Sequence, residues 1–428
     1  MLASGPTGNR PIREGAEQAM NHPGVAGQQA SANSFTGVTF EEALARARAM
    51  VPMLRERAAR TEGARVMLPE TYAELKQSGL LRYHMPKRWG GMELPFPAMI
   101  DIPTELARGC ASTSWNFHNF ANHSWLLAMF DPRAQEEIWG VDPDTPIAAG
   151  IAFPQGSGHK VDGGFVISGH WNFGSGVDLS PWSMFAATVR DRPNGPPTDY
   201  RLCLVPRAEY EIIDDWQVMG MRGTGSKSMR IKDVYVPEYR ALDMTTLRGG
   251  SDFPGARMNP GPLFRVPLVA IAGYFPGTSA LGNAQAVLEL TIERLKSRQT
   301  SYTAVRMSDF QAIQIRVAMA ASKIDTAESI MKRDCATAWQ DACAEKIPDS
   351  LTKLAYKRNA AFAVQLCTEA VDSLHALAGA NGIYEQYPIE RLFRDAHSAA
   401  GHFSFSFDAH GSAWGAAALG GQINNSML

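Results

Sequence analysis

Long apolar runs are missing from this chain. Although 45% of its 428 residues are hydrophobic, no window reaches the roughly 18 to 20 continuous apolar positions of a membrane helix. Those residues must instead serve a core, and the length suggests two or three domains. Excess charge is missing too: 41 Lys and Arg face 43 Asp and Glu, so no basic surface argues for nucleic acid or an anionic membrane. Cysteine is scarce. Cys110, Cys203, Cys335, Cys343 and Cys367 are scattered and odd in number, with no CxxC and no Cys/His metal spacing. Free thiols in a reducing compartment, and no metal site, are the expectation. Neither a P-loop nor a full GxGxxG is present, so the chain carries no NAD(P)H fingerprint of its own. Met1 to Asn33 is rich in Gly, Pro, Gln, Asn and Ala and lacks the apolar core of a signal peptide. It reads as a flexible tail, and the protein as cytoplasmic.

What is present falls into three stretches. From Thr39 to about Trp139, apolar residues recur at three- and four-residue spacing, with Thr39 placed to cap the first helix. From Ile147 to about Pro237, short alternating runs separated by Pro, Gly and Asp read as a small antiparallel sandwich or barrel, with Asp162-Gly163-Gly164 as a hairpin turn. From about Leu263 the period is helical again, and four helices are expected near 264–299, 309–340, 349–379 and 388–411. Short links between them imply an antiparallel bundle. The expected units are a tail (1–35), a helical domain (36–146), a β domain (147–262), a four-helix bundle (263–414) and a C-terminal tail (415–428).

Four segments are candidates for chemistry. Gly169 to Trp182, GHWNFGSGVDLSPW, ends a strand in an open turn at Gly174-Ser175-Gly176 that lets backbone approach a flat ligand; a plain hairpin turn explains it as well. Val218 to Pro237 concentrates glycine with Arg222, Thr224, Ser226 and Lys227, a composition suited to a phosphate- or flavin-facing loop but weak as a bare motif. Cys110 to Leu127 holds His118 and His123. Five residues rotate a helix by about 140°, so the two should not share a face: one should meet a pocket and the other packing or solvent. Tyr387 to Phe407, YPIERLFRDAHSAAGHFSFSF, carries Arg391, Arg394, Asp395, His397 and His402; ion pairs between bundle helices account for the first three equally well.

These segments together resemble the acyl-CoA dehydrogenase superfamily over nearly the whole chain after Phe35. The last segment is similar to its final core helix, with the PxxRxxRD signature at Pro388, Arg391, Arg394 and Asp395. The resemblance implies an α+β acyl-CoA dehydrogenase fold: an N-terminal helical domain, a central small antiparallel β domain and a C-terminal four-helix bundle. Dehydrogenases of this fold use a carboxylate to take a proton from a thioester, either on the last helix or on the first bundle helix. Here the last helix has Phe403 at that place, and no acid lies between Asp252 and Glu289.

The WxFxSGxD run at Trp171 to Asp178, the GMRGTGSK loop at Gly220 to Lys227 and the spacing of Trp115 to His123 instead resemble the two-component flavin monooxygenases of this superfamily. That resemblance implies reduced FMN or FAD delivered by a separate NAD(P)H:flavin reductase, reaction with O2 through a flavin C4a-hydroperoxide, and hydroxylation of a small phenol- or indole-like aromatic. It implies catalytic roles for His402, His123 and Ser175, flavin contacts from Ser175, Trp171, Arg222, Thr224, Ser226 and Lys227, substrate contacts from His123, Trp115 and Phe403, and a homotetramer. After SGVD stands LSPW, where several such proteins carry a histidine, which leaves the substrate open. The alternative is an FAD-dependent acyl-CoA dehydrogenase or nitroalkane-oxidase-like enzyme, with an acid such as Asp178 or Asp408 as base.

Overall fold

A computed structural model describes residues 34–192, 195–300 and 303–423. Most of the expected N-terminal tail, and 424–428 of the C-terminal one, lie outside the described residues. The first layer is helical: α1 (Phe40–Ala64), α2 (Pro69–Ser78), α3 (Ala98–Gly109), α4 (Ala111–Leu127) and α5 (Pro132–Trp139). Thr39 caps α1 as expected: its Oγ1 accepts the Glu42 N–H at 3.2 Å, and the Glu42 carboxylate accepts the Thr39 N–H at 3.0 Å. Every residue of α4 except Trp115 and Asn119 is buried, although the helix is rich in Ser, Asn and His. A helix buried all round cannot be placed by amphipathic patterning, and its polar groups need partners inside the protein.

The second layer is one eight-stranded sheet: β1 (Ile147–Gly150), β2 (Gly156–Val161), β3 (Gly164–Gly174), β4 (Trp182–Val189), β5 (Asp199–Pro206), β6 (Glu211–Ile213), β7 (Lys227–Pro237) and β8 (Ala241–Asp243). The order is β6-β7-β3-β2-β4-β5-β8, with β1 beside β4 off that path. The DGG turn joins β2 to β3, with Gly163 at φ 73°. The sheet is not wholly antiparallel, because β1 and β2 both pair with β4 in parallel. This pairing carries the chain from the helical layer straight into the middle of the sheet.

The third layer comprises α6 (Leu268–Ile271), α7 (Tyr274–Ser297), α8 (Gln311–Cys343), α9 (Ser350–His375), α10 (Pro388–Ala400) and α11 (Phe407–Ala418). Buried polar bonds lock it: the Tyr274 hydroxyl donates to Asp334 at 2.5 Å, and Asn359 Nδ2 donates to the same carboxylate at 2.7 Å. The last expected helix is in fact two. It breaks after Gly401, where the Ser404 N–H donates to His402 Nδ1 at 3.2 Å and a 3-10 turn runs from Phe403 to Phe405. The final helix also extends past 414 to Ala418. Among the described residues no helix is long and apolar enough to cross a membrane, and no group of three or more His, Cys, Asp or Glu is arranged to hold a metal.

Candidate active site

The three layers meet around the indole of Trp115. β3 ends in a tight turn: Phe173 adopts φ 66°, and Gly176, at φ 72°, sits so close to α4 that a Cβ there would lie 2.4 Å from Phe120 Cζ. The turn delivers Ser175 to Trp115, whose Nε1–H donates to Ser175 Oγ at 3.1 Å. Ser175 Oγ lies 2.7 Å from Ser226 Oγ, which lies 2.6 Å from Thr224 Oγ1, and Thr224 donates to the Met221 carbonyl at 2.8 Å. Each hydroxyl has one hydrogen. Thr224 spends its hydrogen on a carbonyl, so Ser226 must donate to Thr224, and Ser175 to Ser226. The relay therefore runs one way, from Trp115 to Met221, and Ser175 is left with a lone pair and no hydrogen to offer.

Around this relay the glycine-rich loop folds tightly, with Met221 and Gly225 both in the left-handed region at φ 55° and 53°. Lys227 extends from the start of β7 to Asp178 at 2.9 Å and Asp214 at 3.7 Å, while the exposed Arg222 donates Nε–H to the Val218 carbonyl at 2.8 Å. The loop is pinned from α10. Asp395, buried, accepts the Met221 N–H at 2.5 Å, and a Cβ on Gly220 would lie 2.4 Å from the Arg394 carbonyl. Arg394 itself bonds Glu390 on its own helix and Glu62 at the end of α1 at 2.5 Å. The RD pair thus ties the last core helix to the first helix and to the loop, not to other bundle helices.

The histidines fall into distinct environments. His123 is buried and its Nδ1 lies 2.7 Å from the Ile147 carbonyl. A carbonyl only accepts, so Nδ1 carries the hydrogen and Nε2 keeps a lone pair; burial lowers its pKa to about 4. His402 has the opposite tautomer when neutral: Nδ1 accepts from Ser404, leaving Nε2–H as a donor. Its ring packs on Trp115 at 5.7 Å and Phe405 at 5.6 Å. The residue keeps an exposed side, while the protein atoms packed around the imidazole lower its pKa by taking solvent from the charged form. His118, expected to face packing or solvent, is as buried as His123, meets Trp115 edge-on at 5.4 Å and has no partner on either ring nitrogen. His397 stands apart, at 2.8 Å from Asp372.

Two expected contacts lie away from this cluster. Trp171 is fully buried in the sheet core, where its Nε1–H donates to the Ala186 carbonyl at 2.9 Å and its ring meets Phe185. It alternates onto the inner face of β3 and presents nothing to a ligand. Phe403 is 75% exposed and packs against His410, because the break after Gly401 swings it outwards.

The residues fit a flavin: a free lone pair at Ser175, left-handed backbone in a glycine loop, and two cations on that loop's flanks. Comparisons with known proteins give the family. The acyl-CoA dehydrogenase N-terminal domain matches residues 39–139, and the acyl-CoA dehydrogenase C-terminal domain matches 275–407. The flavin-dependent monooxygenase oxygenase subunit HsaA of Mycobacterium tuberculosis (strain ATCC 25618 / H37Rv) is 33% identical over 355 residues, covering 82% of this chain and 89% of that protein. The crystal structure of the M. tuberculosis HsaA monooxygenase superposes with a TM-score of 0.85, at 31% identity, over 91% of this chain and all of that one (100%). The chain belongs to the flavin-dependent monooxygenases of the acyl-CoA dehydrogenase superfamily. The oxygenase component of the FADH(2)-dependent resorcinol hydroxylase of Rhizobium sp. (strain MTP-10005) is 33% identical over 86% of this chain and 91% of that protein. XiaF from Streptomyces sp., solved with FADH2 and glycerol, has a TM-score of 0.82 at 26% identity, covering 90% of this chain and 97% of that one.

In this monooxygenase Glu289, Asp178 and Asp395 are already engaged, and Asp408 is exposed. Glu289, the first acid of α7, pairs with Arg55 at 2.6 Å and Arg108 at 2.5 Å. Asp178 is held by Lys227, Asp395 by the Met221 N–H, and Asp408 is exposed on α11. Asp395 and His118 were not marked as site residues by their sequence spacing. Asp395 answers a loop 174 positions earlier, which no local pattern records.

Proposed function

We propose that this chain is the oxygenase component of a two-component system that takes reduced FMN or FAD from a separate NAD(P)H-dependent reductase and hydroxylates a small phenol- or indole-like aromatic with O2. The observation that carries this reading is the one-way hydroxyl relay ending in an acceptor at Ser175, beside neutral imidazoles. Bound reduced flavin would supply the activation of dioxygen. Ser175 accepts a hydrogen bond and so suits the N5–H that reduced flavin carries and oxidised flavin lacks. Thr224 and Ser226 hold Ser175 in that role, with Arg222 and Lys227 as the loop's cations. His402 presents Nε2–H to the oxygen being transferred. His123 presents the Nε2 lone pair to a phenol O–H or indole N–H and takes that proton as the ring is attacked. Trp115 walls the space between them, and Trp171 supports β3 from the core.

Exposed Ile315, Met319, Phe362, Phe403 and Phe407 on the third layer are the apolar surface that copies of the chain would cover in a homotetramer. Five free cysteines fit the cytoplasm.

The test is single-turnover oxidation: protein and reduced flavin are mixed with O2 and a phenol, and product is compared with hydrogen peroxide released. In His402→Ala the product yield per reduced flavin should fall at least about tenfold, the loss of one charge-free donor of roughly 1.4 kcal/mol, with peroxide rising to match. Wild-type coupling in that variant would sink the assignment.

A further inference from the structure

Two buried polar side chains of α4 are left without full partners. His118 is 3% exposed, and neither ring nitrogen meets a hydrogen-bond partner. One turn further on, Asn122 is 5% exposed; its Oδ1 accepts from the Tyr83 hydroxyl at 3.2 Å, but its Nδ2 has no partner. Buried polar atoms are nearly always satisfied, and each one left bare is costly. Orphaned groups at i and i+4 stand one above the other on the same side of a helix, so they describe one place. That place adjoins the site, since His118 packs on the same indole that bonds Ser175 and supports His402.

The chemistry of the place is specific. A neutral imidazole offers one lone pair and one N–H, and the Asn122 amide offers N–H. Together they match a group that both donates and accepts, namely a hydroxyl. Among the described residues the groups acting electrostatically on His118 are His123 and His402, with no Lys, Arg, Asp or Glu beside them. A carboxylate brought here would lose its water and gain no cation, whereas a hydroxyl would recover its hydrogen bonds.

We propose that His118 and Asn122 form a second hydrogen-bonding subsite, apart from the contact offered by His123, which selects aromatics bearing two uncharged hydroxyl groups over monophenols and arylcarboxylates. The proposal rests on reading the site as that of an aromatic hydroxylase. A substrate hydroxyl in this subsite donates to a His118 nitrogen and accepts from Asn122 Nδ2. This fixes the ring at two points, so one edge faces the oxygen beside His402.

The experiment measures dissociation constants by calorimetry, and kcat/KM with chemically reduced flavin, for the three dihydroxybenzenes, phenol and 4-hydroxyphenylacetate. In the wild type the best dihydroxybenzene should be favoured at least about tenfold over both other ligands, the effect of one hydrogen bond made in a buried site. His118→Phe and Asn122→Leu should each bring that ratio towards one, while His118→Asn, which keeps a donor and an acceptor, should retain part of it. Because the two apolar variants sit on different side chains, failure of one to fold leaves the other to decide. A wild type that prefers the arylacetate, or a ratio that neither variant moves, overturns the subsite. Failure of the wild type to hydroxylate any of the phenols overturns the hydroxylase reading itself.

Discussion

At the scale of single residues the site is defined by the direction of hydrogen bonds more than by their number. Thr224 is the anchor, because its hydrogen goes to a carbonyl and forces the direction of every bond before it. Removing that anchor should reverse the relay. In Thr224→Val, Ser226 loses its acceptor and can turn its hydrogen onto Ser175, which then offers a hydrogen where it had offered a lone pair. The expected result is a fall of about tenfold in the preference for reduced over oxidised flavin, the worth of one correctly oriented buried bond. Anaerobic titration for the reduced form and fluorescence quenching for the oxidised form give the two constants. Thr224→Ser restores the hydroxyl and should restore the preference. An unchanged ratio in the valine variant would mean that Ser175 does not meet the flavin through this lone pair. His123 and His402 follow the same logic: one is fixed as acceptor by Ile147, the other as donor by Ser404.

At the scale of elements, the loop from Gly220 to Lys227 is held by α10 in two ways: the Asp395 carboxylate accepts the Met221 N–H, and the backbone at Gly220 lies directly against the Arg394 carbonyl. A methyl at Gly220 would meet the Arg394 carbonyl at 2.4 Å and Ser398 Oγ at 2.7 Å; the serine can rotate away, but the carbonyl is backbone and cannot. Gly220→Ala should therefore cost about 1–3 kcal/mol, as overpacking does, and weaken flavin binding with it. Denaturant midpoints check the first effect and flavin titration the second; a midpoint equal to the wild type would show that the loop is free to move. This contact was not legible in the sequence, since glycine and arginine stand far apart in the chain. The three layers were legible, because helical and alternating periods change sharply near 146 and 263. The parallel placing of β1 and β2 against β4 was not, because strand partners are chosen by the whole sheet. The break after Gly401 was hidden by an apolar run, FSFSF, that continues the pattern past the end of α10. Helical rotation left open which of His118 and His123 meets the site, and the resemblance favoured His123; yet His118 lies about 60° to one side of Trp115 and His123 about 80° to the other. Two residues that cannot share a narrow face can still flank a wide one.

At the scale of the whole molecule, burial of neutral histidines and one carboxylate gives stability a pH dependence with two opposing parts. His84, His118 and His123 are buried with pKa values pushed below the ordinary 6.5 by loss of solvent, to about 3 for His84 and about 4 for His123. Each such group stabilises the fold above its unfolded pKa, and that contribution is lost as pH falls towards the folded value. Asp395 works the other way. Burial raises its pKa to about 6 against the opposing pull of the Met221 N–H and of Arg391 and Arg394, with Glu62 adding to the rise and Cys110 within range. Its contribution is full below the unfolded value near 3.9 and is lost as pH rises through about 6. Between about pH 4 and 6 the histidines therefore make stability climb with pH while Asp395 flattens the climb. Asp395→Asn keeps an oxygen to accept the Met221 N–H but binds no proton. Its stability should rise more steeply with pH than the wild type across this window, by up to one proton, or about 1.4 kcal/mol per pH unit. Urea unfolding of both proteins at half-unit steps measures the two slopes. Parallel slopes would mean that Asp395 is already charged throughout the window, and that the loop is held by an ionised carboxylate rather than by one that takes up a proton as the chain folds.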